Sequence, residues 1–261
     1  MTNFAFLEAE WPSLYEAADK ASNTVYPDPR AACFYARRAL ELAVQWMYKH
    51  DYTLLLPYQD NLSALIHEPT FKKAAGEAIF NKARVIIRLG NQAVHSNSTV
   101  LVEDSITAVR ELFHISYWLA RTYARKEKPE PGLIFNPEDL PKTTVPKQTI
   151  EQLQSLEASL REKDEKLSEL LADKSALDDE LKRLRAEVSI AKEASALLPD
   201  THDYSEAETR KSLIDLLLKE AGWPLDKVQD REFEVSGMPN ESGVGFVDYV
   251  LWGGDGKPQR T

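Results

Sequence analysis

The segment from Lys147 to Leu198, KQTIEQLQSLEASLREKDEKLSELLADKSALDDELKRLRAEVSIAKEASALL, decides how the rest of the chain is organised. It contains no Gly, Pro or aromatic residue. Counting in sevens gives two seam positions at which eleven of fourteen residues are apolar: Leu153, Leu160, Leu167, Lys174, Leu181, Val188 and Ser195, and Leu156, Lys163, Leu170, Leu177, Leu184, Ala191 and Leu198. This repeat predicts a long coiled-coil helix that self-associates through residues 153–198. A single solvated helix held by its own ion pairs is the alternative.

Composition limits the classes of protein that the chain can belong to. Its 261 residues carry a net charge of −10, so bulk electrostatics gives no support to a protein that wraps nucleic acid by charge alone. Cys33 is the only cysteine, which excludes an intramolecular disulfide and is typical of a reducing compartment. The start has no signal-peptide pattern, and no apolar run is long enough to span a membrane. We therefore expect a cytoplasmic protein with no membrane partner.

Residues 1–128 have the pattern of a helical bundle. Apolar residues at steps of three and four predict the first helix: Leu7, Trp11, Leu14, Ala18 and Ala21. Asp28 is a natural N-cap and Pro29 suits the first position of a second helix that reaches about residue 50. Further helices are expected after Asn61, near 71–89 and near 103–126. Together they predict an all-α bundle with short loops.

A proline-rich connector, residues 129–146, separates this bundle from the long helix. It holds five of the fourteen prolines, at positions 129, 131, 137, 141 and 146. Such a segment cannot be a helix or an inner strand, so it is predicted to be an extended linker. The long helix, residues 147–198, can start only after Pro146.

The last segment, residues 199–261, mixes one helix with two strands. Ser205-Glu-Ala-Glu208 has the spacing of a capping box and predicts a helix start. Strands are predicted over Val228–Val235 and Val244–Trp252, and Asp248 falls among alternating apolar residues of the second strand. A carboxylate there is costly unless it is solvated, paired or bound to a cation. Asp248 is therefore a candidate metal ligand.

Within the bundle, the stretch Arg88-Leu-Gly-Asn-Gln-Ala-Val-His95 places two ionisable groups seven residues apart, on one face of a helix. One hypothesis is nucleotide or nucleic-acid binding by Arg88, Asn91 and His95. Nearby cations would help: Lys72, Lys73, Lys82 and Arg84. A second hypothesis is that these polar residues hydrogen-bond loop carbonyls and close the bundle. A third is ribonuclease chemistry, in which His95 acts as general acid or base and Arg88 holds the phosphate.

Two motifs in the first half resemble a known family. Arg37-Arg38-Ala-Leu-Glu41, followed by Arg88, Gly90-Asn91 and Val94-His95, resembles the helical domain at the front of type I restriction enzyme R subunits. That domain is similar in turn to HEPN helical bundles, some of which are ribonucleases that use an Arg and a His at this kind of spacing. The resemblance implies a HEPN-like bundle at 1–128.

The last segment resembles the opening of the nuclease domain of the same R subunits. The motifs are Glu208-Thr-Arg210, Leu213-Ile-Asp215 and Ala221-Gly-Trp223, then Gly245-Phe-Val-Asp248-Tyr-Val-Leu251. That domain is of the PD-(D/E)xK type, in which an Asp and a following Glu-x-Lys bind Mg²⁺ and orient water. The resemblance implies that Asp248 is the metal-binding Asp and that Glu208 is the helix acid that supports the site. Capping of the helix is the alternative role for Glu208.

The chain departs from this family after Asp248. The family continues into a strand that carries Glu-Ala-Lys, whereas this sequence reads Lys257-Pro258-Gln259-Arg260-Thr261 and contains no Glu after Asp248. We therefore expect a truncated, incomplete restriction-endonuclease-like domain at 199–261 that does not cut DNA by itself. The predicted fold class is mainly α: an N-terminal helical bundle, a long coiled-coil helix, then a partial α/β nuclease-like segment.

The resemblance implies a role in DNA restriction, as the N-terminal portion of a type I restriction-modification R subunit. The intact family uses ATP and Mg²⁺ and works with methylation and specificity subunits, through which it meets DNA in defence against foreign DNA. Neither cofactor is expected to act in this chain alone. Two alternatives remain at this point: a non-enzymatic oligomerising interaction module, and a HEPN-type ribonuclease that uses Arg88 and His95.

Overall fold

A computed structural model describes residues 2–142, 147–172, 175–198, 202–223, 225–238, 244–252 and 258, with side chains left out at 169–179. The protein is mainly α-helical, which confirms the predicted fold class. The helices are α1 (Pro12–Thr24), α2 (Pro29–His50), α3 (Leu62–His67), α4 (Pro69–His95), α5 (Val102–Tyr123), α6 (Ile150–Ala172), α7 (Ser175–Ala196) and α8 (Glu206–Glu220). Two strands follow, β1 (Arg231–Ser236) and β2 (Val244–Tyr249). The chain forms two compact units, Met1–Arg210 and Lys211–Thr261.

Helix α5 is the centre of the first unit. Every residue from Glu111 to Ala120 is buried, so this helix is covered on all sides rather than along one stripe. Helices α1, α2 and α4 pack against it, and α7 covers a further side. The largest fully buried apolar and aromatic side chains of the unit are Phe4, Leu7, Leu40, Met47, Ile66, Phe71, Ile86, Leu89, Phe113, Tyr117 and Tyr123. Any polar residue on the inner half of α5 is therefore far from water.

The start of α2 follows the sequence prediction. The Asp28 side chain accepts a hydrogen bond from the Ala31 amide at 3.2 Å, and Pro29 occupies the first helical position. This confirms the predicted N-cap, which stabilises the helix by satisfying one of its unpaired amide groups. The second carboxylate oxygen of Asp28 accepts from the Gln148 amide at 2.6 Å, so the same residue also holds the chain just before α6.

Two glycines shape α4. Gly76 has a left-handed φ of 76°, which interrupts the helical backbone within Pro69–His95. Gly90 lies where α4 crosses α2: a Cβ added there would lie 2.5 Å from the Cβ of Arg37. Only a residue without a side chain allows the two helices to approach this closely.

Part of the described apolar seam of the Lys147–Leu198 segment packs against the bundle of its own chain. Leu153 is fully buried among Ala31, Phe34 and Val94, and Leu156 and Leu160 pack beside it. Near the other end, Val188 is 1% exposed, whereas Leu167 is 56% exposed. The predicted continuous helix is present as α6 and α7, and residues 173 and 174 between them lie outside the described part of the chain. The central seam residues Leu170, Lys174 and Leu177 likewise lie outside the described side chains.

Polar contacts fix both helices to the bundle. The Lys192 ammonium donates to the buried Asp51 carboxylate at 2.6 Å, and Tyr123 donates to the same oxygen at 2.9 Å. The Ser195 hydroxyl donates to the Arg121 carbonyl at 2.7 Å, at the end of α5. On α6, the Gln154 amide donates to the Val94 carbonyl at 3.0 Å. The first unit therefore includes α6 and α7 as part of its packed structure.

The second unit is built on a β-hairpin. Strands β1 and β2 are antiparallel, with Arg231 opposite Tyr249 and Val235 opposite Gly245. A 3-10 turn, Val228–Asp230, precedes β1, so the strand begins later than the predicted Val228. Trp252 and Pro258 form a further antiparallel bridge. Arg231 also pairs with Asp215 in the second half of α8 at 2.9 Å, which ties the hairpin to that helix.

Candidate functional sites

The Arg88–His95 stretch lies on the last two turns of α4. Asn91 and His95 are exposed and Arg88 is half-buried, and the spacing of three and four residues puts all three on one side of the helix. Burial and the neighbouring Arg84 guanidinium lower the pKa of Arg88 from its usual value. The structure therefore brings the three predicted residues together, with two of them accessible from solvent.

Arg30 closes the bundle at this end, and this role was not predicted from the sequence. Its guanidinium donates to the carbonyls of Ala93 at 2.6 Å, Ser96 at 2.9 Å and Ser98 at 2.6 Å. These hydrogen bonds satisfy carbonyls that a helix C-terminus leaves unpaired. No local pattern predicts this role, because an Arg in the first turn of one helix carries no information about the end of another.

The predicted cluster of helper cations is only partly at the surface. Lys73 is exposed, and Lys72 and Arg84 lie over the Phe80 ring at 4.4 Å and 5.6 Å from its centroid. Lys82 is fully buried, so its assignment to a nucleic-acid-binding surface was wrong. Its neighbours on the apolar face of α4, Ile79 and Ile86, explain this, since a residue between them at helical spacing also faces the core.

Lys82 belongs to a buried polar cluster with Glu111 and Thr209, all of them 0% exposed. Its ammonium donates to the Glu111 carboxylate at 2.9 Å and to the Thr209 hydroxyl at 2.6 Å. The Thr209 hydroxyl donates to the same Glu111 oxygen at 2.8 Å. Burial lowers the pKa of Lys82, and the Glu111 charge opposes that shift. A hydroxyl between an amine and a carboxylate has the composition of a nucleophilic site, but no solvent reaches it, so we assign it a structural role.

Glu208, which was predicted to support the nuclease site, lies beside this cluster. Its carboxylate pairs with Arg110 at 3.4 Å, while Arg110 also approaches Glu111 at 3.5 Å. The residue that the resemblance assigned to the nuclease site thus pairs with a cation of α5, and its side chain is 62% exposed. The neighbouring Thr209 was not predicted as a functional residue, and its hydroxyl is the only feature in the sequence that could have suggested it.

The buried side of α5 also holds His114, whose ring lies near the rings of His202 and Tyr204, with centroids 5.7 Å and 6.2 Å away. Burial, with the charges of Lys82, His202 and Arg110, lowers the pKa of His114 to about 3. The imidazole is therefore neutral at physiological pH and serves as a packing group.

Asp248, the candidate metal ligand, lies on β2 and is exposed. Exposure to solvent removes the burial cost that singled it out in the sequence. Among the described residues, no group of three or more His, Cys, Asp or Glu side chains is arranged to hold a metal ion. The described residues therefore do not assemble a Mg²⁺ site of three or more such ligands, and we derive no chemical step through a metal or through ATP.

Comparisons with known proteins bear on the first unit only. Residues 19–143 are similar to a family described as "Domain of unknown function (DUF4145)". That range runs from within α1, through α2–α5, into the proline-rich segment, and it contains Arg88, Asn91 and His95. No curated protein and no solved structure matches the chain. Within the part of the chain that the structure describes, no helix is long and apolar enough to cross a membrane. The molecule is thus a mainly helical protein whose bundle is similar to this family over residues 19–143.

Proposed function

We propose that this chain is the N-terminal portion of a type I restriction-modification R subunit, which acts in DNA restriction with methylation and specificity subunits. The observation that carries the proposal is the second unit. There the larger part of α8 is followed by two antiparallel strands and an isolated bridge between Trp252 and Pro258, with the Asp248 carboxylate open to solvent on the second strand. The nuclease fold that the sequence resembles uses this order of elements and needs an accessible Asp at this point.

The proposal gives each unit a different task. Asp248 would contribute one oxygen ligand to a metal-dependent nuclease site, and a second carboxylate and a Lys must complete it. No Glu follows Asp248 in these 261 residues, so we propose that the polypeptide does not cleave DNA by itself. The helical first unit would serve assembly and contact with DNA. Mg²⁺ and ATP belong to the assembled enzyme in this proposal.

Co-expression tests the proposal directly. The chain would be produced with the methylation and specificity subunits of its own organism and analysed by size-exclusion chromatography. We expect one stable complex, and Asp248→Asn should leave it intact because the exposed carboxylate is assigned to chemistry rather than assembly. A chain that elutes alone at micromolar concentration contradicts the proposal. So does Mg²⁺-dependent DNA cleavage by the isolated chain that persists in Asp248→Ala.

A non-enzymatic interaction module is the second candidate, favoured by the loop between α2 and α3. Four large apolar or aromatic side chains are exposed there within seven residues: Tyr52 (64%), Leu55 (63%), Leu56 (71%) and Tyr58 (104%). Such a patch is typical of a contact surface. This candidate predicts a stable assembly without turnover of DNA or RNA, and Leu55→Ser with Leu56→Ser should weaken that assembly.

Ribonuclease activity is the third candidate, favoured by the exposure of Asn91 and His95 on the same side of α4 as Arg88. His95 would transfer a proton to or from a ribose hydroxyl, and Arg88 would contact the phosphate. Incubation with single-stranded and structured RNA tests it. Cleavage that disappears in His95→Ala supports the candidate, and cleavage that survives this change, or no cleavage at all, excludes it.

A further inference from the structure

The face of α2 that turns toward α6 carries two adjacent arginines, and α6 meets them with carboxylates. Arg37 contacts Glu157 at 2.7 Å. Arg38 contacts Asp164 through two hydrogen-bonding pairs, at 2.7 Å and 3.0 Å, and also reaches Glu41 at 3.0 Å. The side chains of Arg37 and Arg38 are 21% and 12% exposed, and each contacts a carboxylate of α6.

These contacts have the geometry with which arginine recognises phosphate. A guanidinium presents its N–H groups as a planar fork, and carboxylate and phosphate oxygens fit that fork equally well. The Asp164 carboxylate occupies the fork of Arg38 with both oxygens. Glu157 and Asp164 therefore stand where two backbone phosphates could bind.

Four described carboxylates of α6 form ion pairs, and two of them pair with residues of the bundle. On the outer side, Glu162 pairs with Lys166 and Glu165 pairs with Arg161, and all four side chains are at least 60% exposed. On the inner side, Glu157 and Asp164 follow Leu153, which is buried against the bundle, and they contact Arg37 and Arg38. The inner acids are thus matched to the basic face, whereas the outer acids carry the same charge without that contact.

We propose that the α2 face formed by Arg37 and Arg38 binds the phosphates of DNA, and that α6 covers this face with its own carboxylates, so that α6 and DNA compete for it. The choice of DNA rests on the proposed function. The competition itself rests on the ion pairs, because the two guanidinium groups that contact carboxylates of α6 are those that a phosphate backbone would contact.

The equilibrium between the closed state, with α6 on the Arg37 and Arg38 face, and the open state, with α6 displaced, can be shifted. Ion pairs that are partly exposed contribute little each, so polar contacts alone do not hold α6 down strongly. DNA offers many phosphates, and its binding releases counterions, which favours it at low salt. A cover that must leave before DNA binds lowers the apparent affinity by the fraction of molecules in the open state. Weakening the cover should therefore tighten DNA binding.

The test is fluorescence anisotropy of the full 261-residue chain with a labelled 30-base-pair duplex at low salt. Glu157→Gln with Asp164→Asn removes the inner carboxylates, and Glu162→Gln with Glu165→Gln removes the same charge from the outer side. We expect the inner variant to bind at least about fivefold more tightly than the outer variant. Leu153→Ala, which weakens the cover without a change in charge, should shift affinity in the same direction. Thermal unfolding followed by circular dichroism checks that each variant keeps its bundle.

Arg37→Gln with Arg38→Gln, placed in the inner variant, should remove the gain in affinity. Equal effects of the inner and outer variants would overturn the proposal, since charge alone would then explain the binding. Displacement of α6 by an acidic helical peptide but not by DNA would also overturn it, and would assign the face to a protein partner. If no variant binds DNA but the chain forms the complex with methylation and specificity subunits, the inference fails and the proposed function stands.

Discussion

At the residue scale, Lys82 and Glu111 are the charges whose loss should cost the first unit most. Both are fully buried, 2.9 Å apart, and share a contact with Thr209. Lys82→Met would leave the Glu111 carboxylate without its ammonium partner in the core. We expect a loss of about 3 kcal/mol in the free energy of unfolding, measured by urea titration with circular dichroism.

The double variant Lys82→Met with Glu111→Met is the control for this expectation. It removes both charges, so it should cost less than the sum of the two single changes. A single Lys82→Met variant as stable as the unmodified chain would show that the pair is not buried as described.

A pH dependence follows from His114, whose pKa is lowered from 6.5 to about 3 by burial and neighbouring cations. Between these values the unfolded chain binds a proton that the folded chain does not, so stability falls as pH falls below 6.5. We expect the unmodified chain to lose about 2 kcal/mol more than His114→Gln between pH 7 and pH 5. Urea titrations at both pH values measure it, and parallel losses in the two proteins would contradict it.

Residue environments were predictable where a local pattern fixes them. The Asp28 N-cap is of this kind, because it depends only on neighbours in sequence. The charge of Lys82 favours the surface, whereas its position between Ile79 and Ile86 at helical spacing predicts the core, and in the structure it is buried. The partners of Arg30 and Thr209 lie on other helices, and no local pattern encodes a contact between distant segments.

At the element scale, Gly90 sets the distance between α2 and α4. An alanine favours a helix over glycine by about 1 kcal/mol, but its Cβ would lie 2.5 Å from the Cβ of Arg37, an atom close to the backbone that cannot swing away. The clash should win, and we expect Gly90→Ala to destabilise the first unit by about 2 kcal/mol. Asn91→Ala, at the exposed neighbouring position, is the matched control and should change stability by less than about 0.5 kcal/mol. A stabilised Gly90→Ala would show that the helices can separate at no cost.

The seam of α6 contains one buried and one exposed leucine that can be compared. Leu153 is fully buried against the bundle, and Leu167 is 56% exposed. Leu153→Ala should therefore speed amide hydrogen exchange in the first turns of α6, whereas Leu167→Ala should leave it unchanged. Self-association through 153–198 remains a proposal, and sedimentation of the same variants addresses it. Loss of an oligomer in Leu167→Ala alone would mean that the exposed part of the seam, rather than its docked ends, joins two chains.

The heptad pattern predicts the long helix but not the surface on which that helix packs. A repeat of apolar residues states that one face of a helix needs cover. It does not state which surface supplies the cover, since a second chain and the chain's own bundle satisfy the pattern equally well. The described ends of the segment use the bundle, through Leu153 and Val188, and this depends on the surface shape of α2, α4 and α5 rather than on the repeat.

At the scale of the whole molecule, composition and periodicity were sufficient to predict a mainly helical protein. The sequence placed a bundle at 1–128 and the long helix outside it, because proline-rich stretches such as 129–146 commonly separate folded parts. The first compact unit instead extends from Met1 to Arg210 and takes in α6 and α7. A proline-rich linker indicates a change in local structure. It does not indicate whether the helices that follow it pack on the bundle that precedes it.

The stability of a shortened chain tests how far the bundle depends on the packing of α6 and α7. A fragment of residues 1–142 keeps α1–α5 but loses Leu153 and Val188, which cover the bundle, and Lys192, which pairs with the buried Asp51. Asp51 keeps the Tyr123 hydroxyl as a partner, so the fragment should still fold cooperatively. Re-exposure of the apolar surface under two side chains should lower its free energy of unfolding by about 3 kcal/mol relative to residues 1–198. Urea titration of the two fragments under the same conditions measures the difference. Equal stabilities would mean that α6 and α7 rest on the bundle without contributing to it, and the competition proposed for Arg37 and Arg38 would then favour the open state.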